Sequence, residues 1–264
     1  MDLLQVKNVS KHVEGFSGTR QLILTDVNFT INSVDSFTSI LAPYGAGKTT
    51  LLKTIAALEV KHNGEIKLFE KIYDKCGKGI AYIPENPSSF PWLDVKGNIL
   101  LEQKISGMQK TKKLQTEHFI SLVGLSGYED YFPANKSNGF RFRVSLARAL
   151  SAEPKLILID DCFKKMTEET REELYKLLKN INEKKEVSFL LASTNVNEVL
   201  RLSTKVFLMK NNPGTIFGTL NIDQKEIPQK ISDYTNQIEK LFRNEKMLNS
   251  KNLILLIAGI THQT

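Results

Sequence analysis

The chain has 264 residues, of which 41% are apolar and 25% charged, a composition that is typical of a globular protein and excludes wholesale disorder. Its formal net charge of +7 is spread along the chain in pairs such as Lys112-Lys113, which indicates a solvated basic surface more than a concentrated nucleic-acid or membrane patch. Only two cysteines occur, Cys76 and Cys162, without Cys-x-x-Cys partners, so neither a disulfide framework nor a thiolate zinc site is expected.

The sequence predicts neither a secretory signal nor a membrane-spanning helix. The N-terminal stretch lacks a long apolar run after a basic start. The longest apolar run, residues 253–258, is well short of the roughly 20 residues that a helix needs to cross a bilayer. We therefore expect the chain to stay in the cytosol and to reach a membrane only through a partner.

The predicted elements alternate between strands and helices. Residues 4–6 and 22–29 alternate apolar and polar side chains, which predicts antiparallel strands. Residues 37–41 form a β-type run that ends in a glycine-rich turn, and residues 48–58 after it have helical composition. Further apolar runs without strict alternation, typical of strands buried on both faces, are residues 80–83, 156–159, 187–192 and 206–209. This order predicts an α/β fold with a central, mostly parallel sheet.

Three other stretches are predicted to be helical. Residues from about 87 to 150 have little strand character and are interpreted as an inserted helical subdomain. Its candidate buried residues are Leu114, Phe119, Leu122 and Val123. A helix that packs on the sheet is indicated by an apolar stripe at Leu174, Leu177, Leu178 and Ile181. An amphipathic C-terminal helix is indicated by a second stripe at Ile231, Tyr234, Ile238, Leu241 and Phe242.

Residues 42–49 match the phosphate-loop pattern GxxxxGK[ST], except that Ala42 replaces the first glycine. Glycines let the backbone curl so that successive N–H groups face phosphate oxygens, and the following helix directs its positive end at them. A chance glycine-rich turn is the alternative, but the strand before the motif and the helix after it favour the phosphate loop. Ala42 is costly only if its φ is positive. The predicted nucleotide-binding residues here are Tyr44, Gly45, Ala46, Gly47, Lys48, Thr49 and Thr50.

Two acidic residues, Asp160 and Asp161, close the buried strand at residues 156–159. Asp160 is predicted to hold Mg²⁺ together with the hydroxyl of Thr49, and Asp161 is placed to orient or activate a water molecule. An acid pair at this point can also simply cap the following helix. The phosphate loop elsewhere in the chain favours the catalytic interpretation.

Taken together, these features resemble an ABC ATPase over residues 2–216, in the order strand, phosphate loop, helical insertion, signature, Walker B strand and switch. Residues 143–150, RVSLARAL, are similar to the RVALARAL helix that follows the family's signature. The resemblance implies a P-loop NTPase fold with an N-terminal antiparallel β subdomain. It also implies a nucleotide-binding domain over residues 1–216, with its helical subdomain at about 87–150, followed by a C-terminal extension over residues 217–264 with an amphipathic helix.

Residues 136–140 align with the family's LSGGQ signature and keep Ser137 and Gly139, whereas Asn138 replaces the first glycine. The resemblance implies that these three residues close over the nucleotide of a second subunit, where a serine hydroxyl and a helix N-terminus meet the γ-phosphate. Asn138 is expected to be a moderate defect, because asparagine tolerates left-handed backbone conformations better than most residues do.

Two regions resemble the nitrate, sulfonate and taurine importers in particular. Residues 80–87 and 90–95 resemble the Q-loop region of those proteins and its PWLTV stretch, and Pro213-Gly214 is similar to their late PG turn. Glu85 occupies the position of the family's glutamine, which contacts Mg²⁺ and the attacking water. A carboxylate at Glu85 can still face Mg²⁺, but it adds negative charge near the γ-phosphate.

Several catalytic positions depart from the family pattern. Asp161 replaces the catalytic glutamate and retracts the carboxylate by one methylene, a displacement that general-base geometry tolerates poorly. Thr167 replaces the D-loop aspartate, and Thr194 replaces the switch histidine that would contact the γ-phosphate. Val13 aligns with the adenine-stacking aromatic, for which Phe16 is a possible substitute, and that role stays unassigned. The sequence thus predicts preserved ATP binding and impaired turnover.

The resemblance implies an importer subunit that binds Mg²⁺ and ATP on the cytoplasmic face of the cell membrane. Its expected partners are a second ABC ATPase subunit, identical or different, a transmembrane permease and, indirectly, an extracytoplasmic solute-binding protein; no nucleic acid is expected. One alternative is a degenerate regulatory subunit that binds nucleotide without turnover. Another is a soluble ABC protein acting on DNA or the ribosome, but the chain has one nucleotide-binding unit and lacks a long coiled-coil insertion.

Overall fold

The computed structural model describes residues 1–14, 19–33, 35, 37–61, 63–75, 79–105, 113–184 and 187–245. Phe16, Cys76, Lys112 and the apolar run at residues 253–258 lie outside this part of the chain, as does the side chain of Leu114. The described residues belong to two compact units, Met1–Cys76 with Phe189–Thr264 and Gly77–Ser188.

The first unit holds both predicted N-terminal strands, as parts of longer ones. Its elements are β1 (Asp2–Glu14), β2 (Arg20–Asn32), β3 (Phe37–Leu41), α1 (Lys48–Ile55), β4 (Asn63–Leu68), β5 (Lys71–Ile72), β8 (Ser188–Ser193), α6 (Val196–Leu202), β9 (Lys205–Lys210), β10 (Thr215–Asn221) and α7 (Ile227–Asn244). Strands β2, β1, β4 and β5 form an antiparallel sheet in that order. This sheet is the predicted antiparallel β subdomain, although the sequence reading missed β4 and β5.

Strand β3 lies in the predicted parallel sheet of the first unit, between β8 and β9. It pairs in parallel with both neighbours, and β10 adds an antiparallel edge strand to β9. All five residues of β3 are buried, which explains why its sequence does not alternate. Helix α1 ends at Ile55, earlier than the predicted residue 58, because Ala57 takes a positive φ of 54° that a helix cannot continue.

Helix α7 buries one face against an apolar cluster of the first unit. Ile238 and Phe242 are fully buried there, and the partly buried residues that pack on the cluster are Phe217, Ile231, Tyr234 and Leu241. The stripe read from the sequence is therefore the face that this helix packs inward. No helix within the described residues combines the length and the apolarity that a bilayer span requires.

The second unit contains β6 (Ile80–Ile83), α2 (Val95–Ile105), α3 (Lys113–Leu122), α4 (Asn138–Ser151), β7 (Leu156–Asp160) and α5 (Glu168–Glu183). Strands β6 and β7 pair in parallel, and three helices lie in the described part of the stretch predicted to be helical. The predicted core residues were only partly right. Val123 is buried but Phe119 and Leu122 are half-buried, and Leu177 is half-buried while its α5 neighbour Tyr175 is buried.

Candidate functional site

The phosphate loop connects the buried end of β3 to the first turn of α1. Gly45 and Gly47 have φ of 77° and 86°, the left-handed region in which a side chain is strained, so both positions require glycine. Ala42 does not share this conformation and is fully buried. Its N–H donates to the carbonyl of Ser193 at 3.2 Å. An alanine in place of the motif's first glycine is therefore compatible with the backbone.

Lys48 opens helix α1 and is buried, with 7% of the residue exposed. Its Nζ donates to the carbonyl oxygens of Ala42 at 3.2 Å and Pro43 at 3.1 Å, so the ammonium is held within the curl of the loop. Gly47 precedes the helix and offers no side-chain cap to its first N–H groups. Such N–H groups lack partners within a helix and, with the helix dipole, attract anions.

The outer side of the loop faces solvent. Tyr44 is 84% exposed, and Gly45 and Thr49 are also exposed, whereas Thr50 is half-buried and Ala46 is buried. The loop therefore combines a buried ammonium with an open rim. A hydroxyl at Thr49 is a hard oxygen donor of the kind that Mg²⁺ prefers.

The segment predicted to be the switch, residues 193–195, lies at the end of β8 and belongs to the same unit as the phosphate loop. Asn195 caps helix α6 by accepting from the N–H of Glu198 at 3.2 Å. The Ser193 hydroxyl donates to the buried Glu198 carboxylate and accepts from the Asn195 N–H at 2.9 Å. Thr194, between these two anchors, is 7% exposed. Because Ser193 also holds Ala42, the structure brings Thr194 to the base of the loop.

The acid pair lies at the end of β7 in the second unit. Asp160 is 1% exposed, and the Tyr82 hydroxyl donates to its Oδ2 at 2.9 Å. Asp161 is 5% exposed and takes a φ of 46°, a conformation that aspartate adopts more readily than glutamate. Helix α5, which follows, is capped by Thr167 rather than by either aspartate, so the capping interpretation of the pair is wrong.

Sequence reasoning missed Lys164, which pairs with the carboxylate of Asp161. Its Nζ lies 2.5 Å from Asp161 Oδ2, and the side chains are 20% and 7% exposed. The only signal in the sequence was the i, i+3 spacing of an acid and a base in a turn. The ion pair offsets the charge of the carboxylate that is predicted to activate water.

Thr167 has a local structural role. Its side chain accepts from the N–H of Thr170 at 3.3 Å, and the two hydroxyls lie 2.9 Å apart. Threonine is an effective N-cap residue, so the start of α5 is well formed without an aspartate.

Glu85 follows β6 and is exposed. The amide oxygen of its neighbour Asn86 accepts from Lys165 Nζ at 3.4 Å. An exposed carboxylate keeps its oxygens available to a cation at little desolvation cost.

Arg148 of α4 anchors the segment that follows Glu85. It donates to the Ser88 carbonyl, pairs with Glu102 at 3.6 Å and lies over the Phe90 ring at 4.4 Å. Burial lowers the pKa of Arg148, and the Glu102 carboxylate opposes that shift. The RVSLARAL helix thus contributes a specific anchor besides its apolar stripe.

The signature residues lie at the start of α4. Ser137 is exposed and caps the helix, with its hydroxyl accepting from the Phe140 N–H at 3.2 Å. Asn138 is the first helical residue and has no positive φ, so its tolerance of left-handed conformations is not needed. Gly139 is buried, and a Cβ there would lie 2.5 Å from Thr170 Cγ2. Close packing, rather than φ, is what requires glycine at this position.

The first unit thus brings together residues 42–50 and 193–195, and the second holds Glu85, residues 137–139 and the acid pair. Val13, at the adenine-stacking position, is 42% exposed on β1, opposite Gln21. Within the described residues, no group of three or more His, Cys, Asp or Glu side chains is clustered as metal ligands. The oxygen donors of Thr49, Asp160 and Glu85 are chemically suited to Mg²⁺, which is often held by few protein ligands together with phosphates and water.

Known proteins resemble this chain over most of its length. Residues 24–164 match the family model described as ABC transporter. The aliphatic sulfonates import ATP-binding protein SsuB of Bacillus cereus is 33% identical over 237 residues, covering 90% of this chain and 93% of that protein. The taurine import ATP-binding protein TauB of Shigella flexneri is 31% identical over 201 residues, covering 76% and 78%.

The fold is also that of solved ATP-binding cassettes. The dimeric post-hydrolysis state of the cassette MJ0796, bound to ADP and Pi, superimposes with a TM-score of 0.72 at 22% identity. The match covers 83% of this chain and 99% of that one. Because the family model spans more than half of the chain and SsuB is 33% identical over most of both proteins, this chain belongs to the ABC transporter family.

Proposed function

We propose that this chain is the ATP-binding subunit of an ABC importer. The observation that carries the proposal is the phosphate loop, in which two left-handed glycines and a buried Lys48 precede the uncapped start of α1. Such a loop binds the phosphates of a nucleotide through backbone N–H groups and an ammonium. Sequence similarity to proteins named for the import of aliphatic sulfonates and taurine supports the direction of transport.

The roles proposed for the first unit are those of a nucleotide cradle. The backbone of residues 44–50 binds the phosphates, and Lys48 exchanges its contacts with Ala42 and Pro43 for phosphate oxygens. Thr49 of this unit is a proposed oxygen donor to Mg²⁺, and Asp160 and Glu85 of the second unit are the other two proposed donors. When bound, the ion neutralises phosphate charge. Thr194 offers a hydroxyl but no imidazole to the γ-phosphate.

Asp161 is the proposed acceptor of a proton from the attacking water. Two features make it a weaker general base than the family's glutamate. Its carboxylate is one methylene shorter than glutamate, and Lys164 already holds it at 2.5 Å. A general base must lie within hydrogen-bond distance of its proton, so both features lower turnover. We therefore expect weak hydrolysis at this chain's own site.

The signature side supports a role toward a second subunit. Ser137 is exposed at the N-terminus of α4, where a hydroxyl and the positive end of the helix dipole suit a phosphate. We propose that Ser137, Asn138 and Gly139 serve the nucleotide of a partner ATPase, whose own site is competent. The assembly would lie on the cytoplasmic face of the membrane against a permease, and would respond indirectly to an extracytoplasmic solute-binding protein.

A second candidate function is a regulatory subunit that binds ATP without turnover. The ion pair between Lys164 and Asp161 specifically favours it, because the pair engages the carboxylate proposed for hydrolysis and not a residue of the phosphate loop. The two candidates share the binding step and differ only in hydrolysis.

The test is to measure Mg-ATP affinity by calorimetry and steady-state turnover for the wild-type chain and for Asp161→Asn. The importer proposal expects ATP binding and a low rate that Asp161→Asn abolishes. Binding with no turnover, alone and in the assembly purified with its permease, selects the regulatory subunit. Absence of ATP binding refutes both.

A further inference from the structure

Gly214 immediately precedes the edge strand β10 of the first unit. Its N–H donates to the Ile23 carbonyl at 2.7 Å, and its carbonyl accepts from the Thr25 N–H at 3.0 Å. These bonds form a short parallel bridge to β2 on either side of Leu24. The backbone of Gly214 is therefore held in place from both directions.

The Cα of Gly214 faces the phosphate loop at very short range. A Cβ built on it would lie 2.3 Å from the carbonyl oxygen of Ala46, well inside the 3.0 Å below which real Cβ atoms are essentially not found. The same Cβ would lie 2.5 Å from Met209 Cε, but that atom ends a flexible side chain and can move aside. The contact with the loop backbone is the one that cannot relax locally.

The next residue of the loop rests on the same strand. A Cβ on Gly47 would lie 3.1 Å from both Ile23 Cγ2 and Leu24 Cδ2, and Ala46 is 1% exposed. Strand β2, the loop at Ala46 and Gly47, and Gly214 are thus packed on one another without space for an added methyl group.

We propose that Gly214 is a positioning residue for the phosphate loop, an inference that rests on the proposed function. The peptide between Ala46 and Gly47 is planar, so its C=O and N–H point in opposite directions. Gly214 packs against the carbonyl oxygen of Ala46. It thereby directs the Gly47 N–H, which belongs to the same peptide group, toward the bound phosphate. A side chain at position 214 would push that peptide about 0.7 Å away and rotate the N–H out of alignment.

The test compares Gly214→Ala with Gly218→Ala in the full chain. Gly218 lies in β10, the strand that follows Gly214, but its added Cβ would meet only Leu208, at 3.5 Å or more, which is ordinary contact. We expect the Kd for ATP to rise at least tenfold in Gly214→Ala and less than twofold in Gly218→Ala. A Kd within twofold of wild type in Gly214→Ala overturns the proposal.

Hydrogen exchange of the nucleotide-free chains separates positioning from general destabilisation. Faster exchange in Gly214→Ala confined to the peptide that covers residues 42–50 supports positioning, whereas a uniform increase across β1, β3 and β9 overturns it. Hydrogen exchange still tests the positioning role if the wild-type chain binds no ATP. That absence of binding would refute the proposed function and not this inference.

A measurement on the wild-type chain decides the matter if Gly214→Ala does not fold. Because coupling between sites is reciprocal, ATP should slow exchange in residues 211–216 as well as in residues 42–50. Protection that is confined to residues 42–50 overturns the proposal.

Discussion

The phosphate loop at residues 42–50 and the segment at residues 160–167 belong to one family pattern but differ in how they are built. The loop acts through its backbone, and its two left-handed glycines and Lys48 are retained around an altered first position. The second segment acts through side chains, and there Asp161 and Thr167 depart from the pattern and Lys164 pairs with the acid. Binding that depends on backbone shape tolerates side-chain substitutions, whereas hydrolysis depends on the identity and reach of individual side chains, so we expect binding to be better preserved than turnover.

The largest expected effect is that of Lys48→Ala, which tests whether the phosphate loop binds ATP. Charge-assisted hydrogen bonds are worth about 1.5–3 kcal/mol each, so the loss of an ammonium that contacts phosphates should lower ATP affinity about 100-fold. Calorimetric titration with Mg-ATP measures the change. The control is Lys53→Ala in the same helix, because Lys53 is 38% exposed and pairs with Glu59 at 3.7 Å. Equal affinities for Lys48→Ala and Lys53→Ala would contradict the role of the loop.

Gly139→Ala should lower the free energy of unfolding and leave the phosphate loop unchanged. The added methyl lies 2.5 Å from Thr170 Cγ2, and overpacking of this kind costs about 1–3 kcal/mol of unfolding free energy. Urea denaturation measures the loss. Adding Thr170→Ser removes Cγ2 but keeps the hydroxyl near Thr167, so the double variant should regain stability. A double variant no more stable than Gly139→Ala alone would show that this contact is not the cause.

Lys164→Met should have the smallest effect of the three substitutions. Unlike the other two, it should improve the measured property, which is kcat. A partly exposed ion pair contributes up to about 1 kcal/mol, so freeing Asp161 should raise kcat about two- to fivefold at unchanged KM for ATP. The control is Lys165→Met, since Lys165 Nζ contacts the exposed Asn86 at 3.4 Å. Steady-state assays in which Lys164→Met is no faster than Lys165→Met would show that the pair does not restrain hydrolysis.

Local patterns in the sequence predicted much of the fold and the motifs. Alternation at residues 4–6 and 22–29, the buried run at 37–41 and the stripe of α7 each reflect a periodicity of backbone geometry that survives in any single chain. Strands β4 and β5 escaped prediction because they are short and carry many polar residues. The end of α1 was misplaced because a positive φ at Ala57 leaves no mark on composition.

The sequence by itself determined the family, the phosphate-loop pattern and the positions that depart from the family's motifs, because those depend on residue types at fixed spacing. Only the tertiary structure decided that Thr170 leaves no space for a side chain at Gly139 and that Gly214 lies against Ala46. It also decided that the carboxylate of Asp161 pairs with an ammonium. Thr170 is 31 positions from Gly139, and Gly214 is 168 from Ala46. Contacts between residues so far apart in the chain come from packing, which no local pattern encodes.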